Sequence, residues 1–573
     1  MYKTNFYKNS GIKSAINTKN NYCPCASPLL QLLSIHLAFY FILEKGKIQL
    51  NSQTPKIKLK KTISGAMSAD MQQNISLIKK MLNNDETLVF RYIHEPFSQK
   101  AAFCVVYVNA MSNVELVCQN VIKPIEEAIL TDGLNNSKLV NSLIKNNIKN
   151  IIHAPIETGT SDINEAIFQI LSGNSALLAE GISSALIISS KKFDIRSIEE
   201  PPVEKILSGP REGFVESLAV NLSMLRRKLI TPDLRTKFIY IGRYSSTRAC
   251  ICYIDGIANP SIVSELEKRL AGINIDGAIN IGIISEFIRD FPYSPFKTVG
   301  TTERPDVVAS KLLEGRVALF TDGSPVVLTV PFLFVEYFQS SDDYNLNFYS
   351  ASFNRIIRIL CFIMTISVPS IYVALTTYHQ EMIPTDLIIS IAQARQGVPL
   401  PSVAEALALL IVFEIVRETS ARMPVQIGQT LSIVGALVIG QAAVEARLVS
   451  APIIIIVALS GITSLTIPKL KGAIILLTVI FIIMSAMFGL YGYIFCTAGL
   501  LIHLFNLRSF GILYTLNVST AELQDIKDTV IRVPWWWMKL RPKNITVQGN
   551  RKRMSSAKAD NQTPSSGGDN IEA

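Results

Sequence analysis

The sequence predicts two architectures in one chain: a soluble α/β N-terminal region of two similar subdomains, followed by an all-α polytopic membrane domain of about six transmembrane helices. Three observations predict it. Before Asn354 the chain is mixed and polar, whereas between Ile359 and Arg508 charges are scarce and long uncharged runs appear. Between Ala69 and Glu286 short β-rich runs alternate with helical spacing, as in FCVVYVNAMSNVELVCQNVIKPIEEAI. Within that region VVYVNAMSNVELV, at Val105 to Val117, aligns without gaps to ICYIDGIANPSIV, at Ile251 to Val263. A repeated unit accounts for that match.

Composition narrows the function classes. The chain has 573 residues, too many for one core, and a formal charge of +10, with many Lys and Arg in the first sixty residues and beyond Trp537. Such clusters suit a membrane lipid surface with anionic headgroups. Nucleic acid is not an expected partner, because no zinc-finger spacing, helix-turn-helix pattern or RNP-like strand accompanies the charge. The eight cysteines are scattered without paired C-x-x-C motifs and read as free thiols, and the five histidines have no ligand spacing, so no metal or other cofactor is expected. No GxxxxGK[ST], HExxH or GxSxG occurs and no GxGxxG follows a strand, so no catalytic centre and no enzyme is expected.

In chain order, residues 1–66 form an N-terminal extension, disordered or dispensable, whose apolar run Leu29 to Leu43 resembles a signal-peptide core without a cleavage site. Either it is a signal, or translation from an internal start such as Met67 dispenses with it. Residues 67–200 form subdomain 1, including a strand at Gly181 to Ser190, and end on an exposed EEPP linker. Residues 201–285 form subdomain 2, where SGPREGF leads into a helix whose Glu212 and Glu216 near its start and Arg226, Arg227 and Lys228 near its end suit the helix dipole. Asp255, Gly256 and Asn259 read as a turn. In the coupling region, residues 286–354, Thr302 or Asp306 is positioned to cap a helix from Val307 to Glu314, GRVALF is a strand, and Asp322-Gly323 turns into VVLTVPF. This helix and hairpin just before the membrane make Glu303, Arg304 and Asp306 candidate coupling residues, with Glu303 and Arg304 in either a subunit contact or a local pair.

The membrane domain, residues 355–508, contains uncharged runs at Ile359 to Gln380, Met423 to Val444 and Leu448 to Ile467. Each is long enough for a hydrocarbon core of roughly 30 Å at about 1.5 Å per residue. From Gly472 to Leu507 a single helix would reach about 54 Å, so two helices are expected, broken at Gly489 or Gly492. Pro401 to Glu418 either spans or re-enters. If it spans, there are six crossings and most flanking Arg and Lys, including Arg355 and Arg358, fall on the side of the soluble region and the tail, as the positive-inside rule favours.

Gly428, Ser432, Ala436 and Gly440 recur every four residues, a ridge along which another helix can pack closely. Glu405, Glu414, Arg417, Gln429, Gln441 and Glu445 are polar groups in or beside apolar segments, where they either bond neighbouring helices or line a watery path. Glu414 and Arg417, three apart, are also spaced to neutralise each other. In residues 509–541 a helix with a Ser519/Glu522 capping box and the Trp535–Trp537 cluster suit the membrane interface, and residues 542–573 read as a disordered basic tail.

Between residues 285 and 345 the motifs TTERPD, LLEGRVA, the DGSP turn and FQSSD stand together. With GPREGF, IGRYSSTRACICYIDGIA, RMPVQIGQTLSIVGALVIGQAAVEA and LQDIKDTVIRVPWWWMK, they make residues 70 to 540 resemble the A subunits of spore germination receptors, the GerA family. The resemblance implies a multi-pass protein of the bacterial spore inner membrane, working with an integral membrane B subunit and a lipoprotein C subunit. It further implies that nutrient sensing leads to ion release and that the chain forms a homo-oligomer serving as an ion conduit. A secondary transporter and a non-conducting scaffold are the rival classes, although the two halves of the membrane block show no alignable repeat.

Overall fold

In the computed structural model the described residues are 66–83, 85–94, 101–132, 151–192, 204, 208–423, 438, 440–515, 528–542, 545–547 and 552–553. The N-terminal extension, the EEPP linker, the Ser519/Glu522 capping box, and Gly428, Gln429, Ser432 and Ala436 lie outside them.

Asp70 caps the first helix, α1 (Met71–Met81), by accepting from the N–H groups of Gln72 and Gln73, and Met71, Ile75 and Ile78 form its buried stripe. Strands β1 (Leu88–His94) and β2 (Ala101–Val108) follow, then a helical run ending in α2 (Lys123–Asp132), β3 (Ile156–Thr160), α3 (Ile163–Leu171), β4 (Ser175–Ala179) and β5 (Ala185–Ile188). The sheet order is β1-β2-β4-β5-β3. The second set comprises α4 (Leu218–Lys228), β6 (Leu234–Ile241), β7 (Thr247–Ile254), α5 (Pro260–Ala271), α6 (Ile281–Ile288), β8 (Gly300–Thr302), α7 (Pro305–Leu313), β9 (Val317–Thr321) and β10 (Val327–Val330). Its order, β6-β7-β9-β10-β8, repeats that of the first sheet strand for strand.

The alternation of side chains along β7 explains its unbroken apolar sequence. Ala249 and Ile251 face α5 and α6, whereas Cys250 and Cys252 face α4 and α7, so helices cover both faces. Both sheets are antiparallel at every pairing, which differs from the parallel βαβ pattern that strand–helix alternation suggests. Hairpins supply the difference: β1–β2, β6–β7 and β9–β10 are each joined without a helix. The helix and hairpin expected as a separate coupling region are α7, β9 and β10, equivalent to α3, β4 and β5 of the first set, and thus belong to the second sheet. Neither Thr302 nor Asp306 caps α7. Pro305 takes its first position, where no N–H is needed, and Arg304 is the residue before it.

Beyond β10 the chain is helical: α8 (Phe348–Thr377), α9 (Thr385–Ala394), α10 (Ser402–Arg422), α11 (Ala451–Leu465), α12 (Lys471–Phe488) and α13 (Leu490–Asn506). Among the described residues two stretches, Phe348–Thr377 and Pro468–Phe488, are long and apolar enough to cross a membrane, and α9, α11 and α13 are shorter apolar helices. The run Gly472 to Leu507 breaks into two helices at Gly489, whose φ of +62° reverses the chain. The strands β11 (Arg508–Ser509) and β12 (Ile512–Leu513) then form a small hairpin.

Within the tail, residues 545–547 are described and are packed against the second sheet. Ile545 is fully buried in the core beneath α5 and α6, Thr546 bridges Ala258, and the Val547 N–H donates to the Ile257 carbonyl at 3.1 Å. Isolated apolar residues in a polar segment thus dock on the second sheet's own turn. Gly315 leaves them room, since a Cβ there would stand 2.8 Å from Thr546 Cγ2.

Candidate functional site

The buried charges of the chain concentrate where the second sheet meets the helical block. At the base of β9, Arg316 donates to the Pro331 carbonyl and to Glu336, and Lys311 reaches the other Glu336 oxygen at 2.7 Å. The Leu333 N–H donates to the same carboxylate at 2.7 Å. Burial alone would push Glu336 up, but the charges of Arg316 and Lys311 hold it below the usual carboxylate range. Burial pushes Lys311 down.

A second cluster joins the two ends of the helical block. Asp343, in the turn Ser341–Tyr344, is fully buried and accepts from Arg355 Nε at 3.0 Å and from Arg358 Nη1 and Nη2 at 2.8 and 2.9 Å. Arg355 and Arg358 are three apart on α8 and so share a face. Arg355 Nη1 also donates to the Asp528 carboxylate at 2.9 Å, which in turn accepts from the Tyr344 hydroxyl at 2.8 Å. Arg532 donates to the Leu346 and Tyr344 carbonyls at 2.9 and 3.3 Å. The start of α8 is thereby tied to the segment that follows α13. Arg355 and Arg358, counted from sequence among the charges on the side of the soluble region, are paired with Asp343 within the protein.

A third contact involves Glu204, whose Oε2 accepts from the Thr302 hydroxyl at 2.6 Å and from the Glu303 N–H at 3.2 Å, while Lys469 approaches Oε1 at 2.9 Å. Burial pushes this carboxyl up, and the Lys469 charge with the two hydrogen bonds more than offsets it, so it lies below its ordinary value. Arg304 is fully buried, with Nη2 donating to the Pro210 carbonyl at 2.9 Å and to Asp306 at 2.7 Å. Its ion-pair partner is thus Asp306, two residues on, and together they pin the PREGF loop against α7. Glu303 contributes its carbonyl, which accepts from the Phe214 N–H at 2.7 Å.

The polar groups of the helical block are also placed. Glu405 is fully buried, accepts from the N–H and hydroxyl of Ser450, both at 2.8 Å, and faces Arg395 at 3.5 Å. Ser450 precedes α11, so this carboxylate satisfies an open N–H at a helix start. Glu414 pairs with Arg417 at 2.5 Å, and Arg417 continues to the Ser464 hydroxyl at 3.0 Å. Gln441 and Glu445 are exposed, and a Cβ on Gly440 would meet nothing within 4 Å. Among the described residues Gly440 thus packs against no other helix.

Sequence inspection assigned Arg226 to the helix dipole, but it is buried against Asp85 in the loop before β1 and ties the two sheets together. Thr236 adds a hydroxyl to Asp85 at 2.7 Å. Glu212 lies before α4 and pairs with Arg227 and Lys228 at that helix's far end. Asp343, Glu336, Asp528 and Asp85 show no catalytic or ligand spacing that would have marked them as partners of these bases.

Residues 76–544 match the family described as Bacillus/Clostridium GerA spore germination protein. The chain is 39% identical over 478 residues to the uncharacterized membrane protein YfkQ of Bacillus subtilis (strain 168), a match that covers 83% of this chain and 91% of that protein. It is 38% identical over 484 residues to spore germination protein KA of the same strain, covering 84% and 88%. A crystal structure of the N-terminal domain of the A subunit of the Bacillus megaterium spore germinant receptor GerK3 is 31% identical and covers 47% of this chain and 98% of that chain, with a TM-score of 0.36.

Proposed function

This chain belongs to the GerA family, and from that membership we propose that it is the integral membrane A subunit of a spore germinant receptor. In this role it acts with an integral membrane B subunit and a lipoprotein C subunit in the spore inner membrane, converting nutrient sensing into ion release. The observation that carries the proposal is the extent of the family match, which takes in both sheets, the charged junction and the helical block.

Six crossings are part of the proposal, with residues 70–355 and 509–573 cytoplasmic. Two tiers of contacts support them. The near tier contains Glu204–Lys469, Arg417–Ser464, Glu418–Lys471 and Ser294–His503, and the far tier Arg395–Glu405, Glu405–Ser450 and the Tyr378 hydroxyl on the Met487 carbonyl. Helices α10 and α11 both run from the far tier to the near one, which supports a further crossing between Glu418 and Ser450. The uncharged run Met423 to Val444 has the length for it, about 33 Å as a helix. Its ridge Gly428, Ser432, Ala436 and Gly440 then serves contact with a second copy in a homo-oligomer, and Gln429, Gln441 and Glu445, rather than Glu405, are its conduit candidates.

Reconstitution into vesicles, with and without the B and C subunits, tests the function. Nutrient-dependent cation efflux that needs this chain is expected. Efflux that is unchanged when this chain is omitted refutes the role. Topology is tested separately by placing a cysteine at Ser555: labelling by an impermeant reagent outside sealed cells rules out a cytoplasmic tail.

A further inference from the structure

Helix α6 (IGIISEFI) is apolar on two sides, and only one of them is used by its own fold. Ile281, Ile284 and Ile288 pack into the second sheet's core. Ile279, Ile283, Phe287 and Phe291, each four residues from the last, are exposed, as is Tyr293, with Phe287 at 54% and Tyr293 at 100%. A water-facing surface of this kind is unusual for a folded domain and marks a contact with something apolar.

The position of the patch identifies what covers it. The loop after α6 is fixed to the last turn of α13: Ser294 Oγ lies 2.9 Å from His503 Nε2, Phe296 stacks near the same ring at 6.0 Å, and Asp290 accepts from the Phe510 N–H at 2.9 Å. On α13 the residues Leu501, Ile502 and Phe505 are exposed and apolar. The apolar surface of the helical block therefore continues onto the soluble region at the level where α13 ends. Arg508, exposed just after α13, places a cation where phosphate headgroups would lie. Tyrosine at the tip suits the same layer, where an aromatic body enters the boundary and its hydroxyl stays hydrated. The acidic groups nearby are Glu286, exposed on α6, and Asp290, which is occupied by Arg269 at 2.8 Å.

We propose that Ile283, Phe287, Phe291 and Tyr293 form an interfacial foot that inserts the second sheet's domain into the headgroup boundary of an anionic bilayer. The foot rests on the proposed crossing by α12 and α13, and it holds the soluble region flat against the membrane rather than suspended from its linkers.

Full-length chain in vesicles of phosphatidylcholine with a minority of phosphatidylglycerol, carrying bromine high on the acyl chains, tests the foot. Emission added by Tyr293→Trp or Phe287→Trp over the parent chain should be mostly lost to bromine and shielded from aqueous iodide. Phe495→Trp, exposed midway along α13, is the control for the span, with bromine deep in the chains. Quenching at Phe495 with none at positions 287 and 293 overturns the foot while leaving the span intact: iodide access there means the patch is bare, and shielding from iodide means that protein rather than lipid covers it. Quenching at none of the three overturns foot and span together.

Discussion

At the scale of single residues, buried ion pairs divide the chain's charges into those that hold it together and those free to act elsewhere. Asp343 faces both Arg355 and Arg358 without solvent, so Asp343→Asn leaves two guanidinium groups short of their counter-ion. Removing one partner of a buried pair costs about 3–5 kcal/mol, and this variant should show a sharp fall in thermal midpoint and folded yield. Asp528→Asn should cost less, because that carboxylate is 28% exposed. Glu405→Gln keeps an acceptor for Ser450 and loses only the charge, so a loss of roughly 1–3 kcal/mol is expected with ion selectivity unchanged. Altered selectivity in reconstituted flux would return Glu405 to the conduit. Glu204 gives a pH signature. Its folded value lies below the unfolded one, so its contribution is present above about pH 4.3 and is lost as pH falls through the folded value. The thermal midpoint of the parent should drop more steeply below pH 4.3 than that of Glu204→Gln, with equal slopes counting against the Lys469 contact.

At the scale of elements, turns were more legible than contacts. The break between α12 and α13 follows from length, and Gly489 fills it in a backbone region closed to other residues, at φ +62° and ψ −141°. A Cβ there would also stand 2.6 Å from His379 Cε1. Gly489→Ala should therefore destabilise the helical block by at least about 1–3 kcal/mol, read as detergent-solubilised unfolding temperature, and an unchanged midpoint would mean the turn relaxes. The gapless repeat likewise located β2 and β7 correctly, because both strands are buried on two faces and allow little variation in side chain. It did not reveal that β8 to β10 complete the second copy, since edge strand β8 has only three residues and carries no periodic signal. The clusters at Asp343 and Asp85 were invisible for a different reason. Their partners are separated by 173 residues at Arg355–Asp528 and 141 at Arg226–Asp85, and an acid in sequence says nothing about which distant base it meets. Arg226 and Arg355 read as a helix-end charge and a charge flanking a span because local rules were all that could be applied to them.

At the scale of the whole molecule, the chain returns to its soluble half after leaving the helical block. Ile545 fills the core of the second sheet, so Ile545→Ala should cost about 2–5 kcal/mol and loosen the α5–α6 region to protease, although the residue lies in a tail of polar composition. Normal protease resistance in that variant would make the docking incidental. The same return has a mechanical meaning. Entry to the first helix is gripped by Asp343 and departure from the last by Asp528, and Arg355 holds both acids at once. The helices from α8 to α13 are therefore an insert suspended from one yoke, not a string hung from one end. A displacement that separates Asp343 from Asp528 therefore parts Arg355 from one of its two anchors.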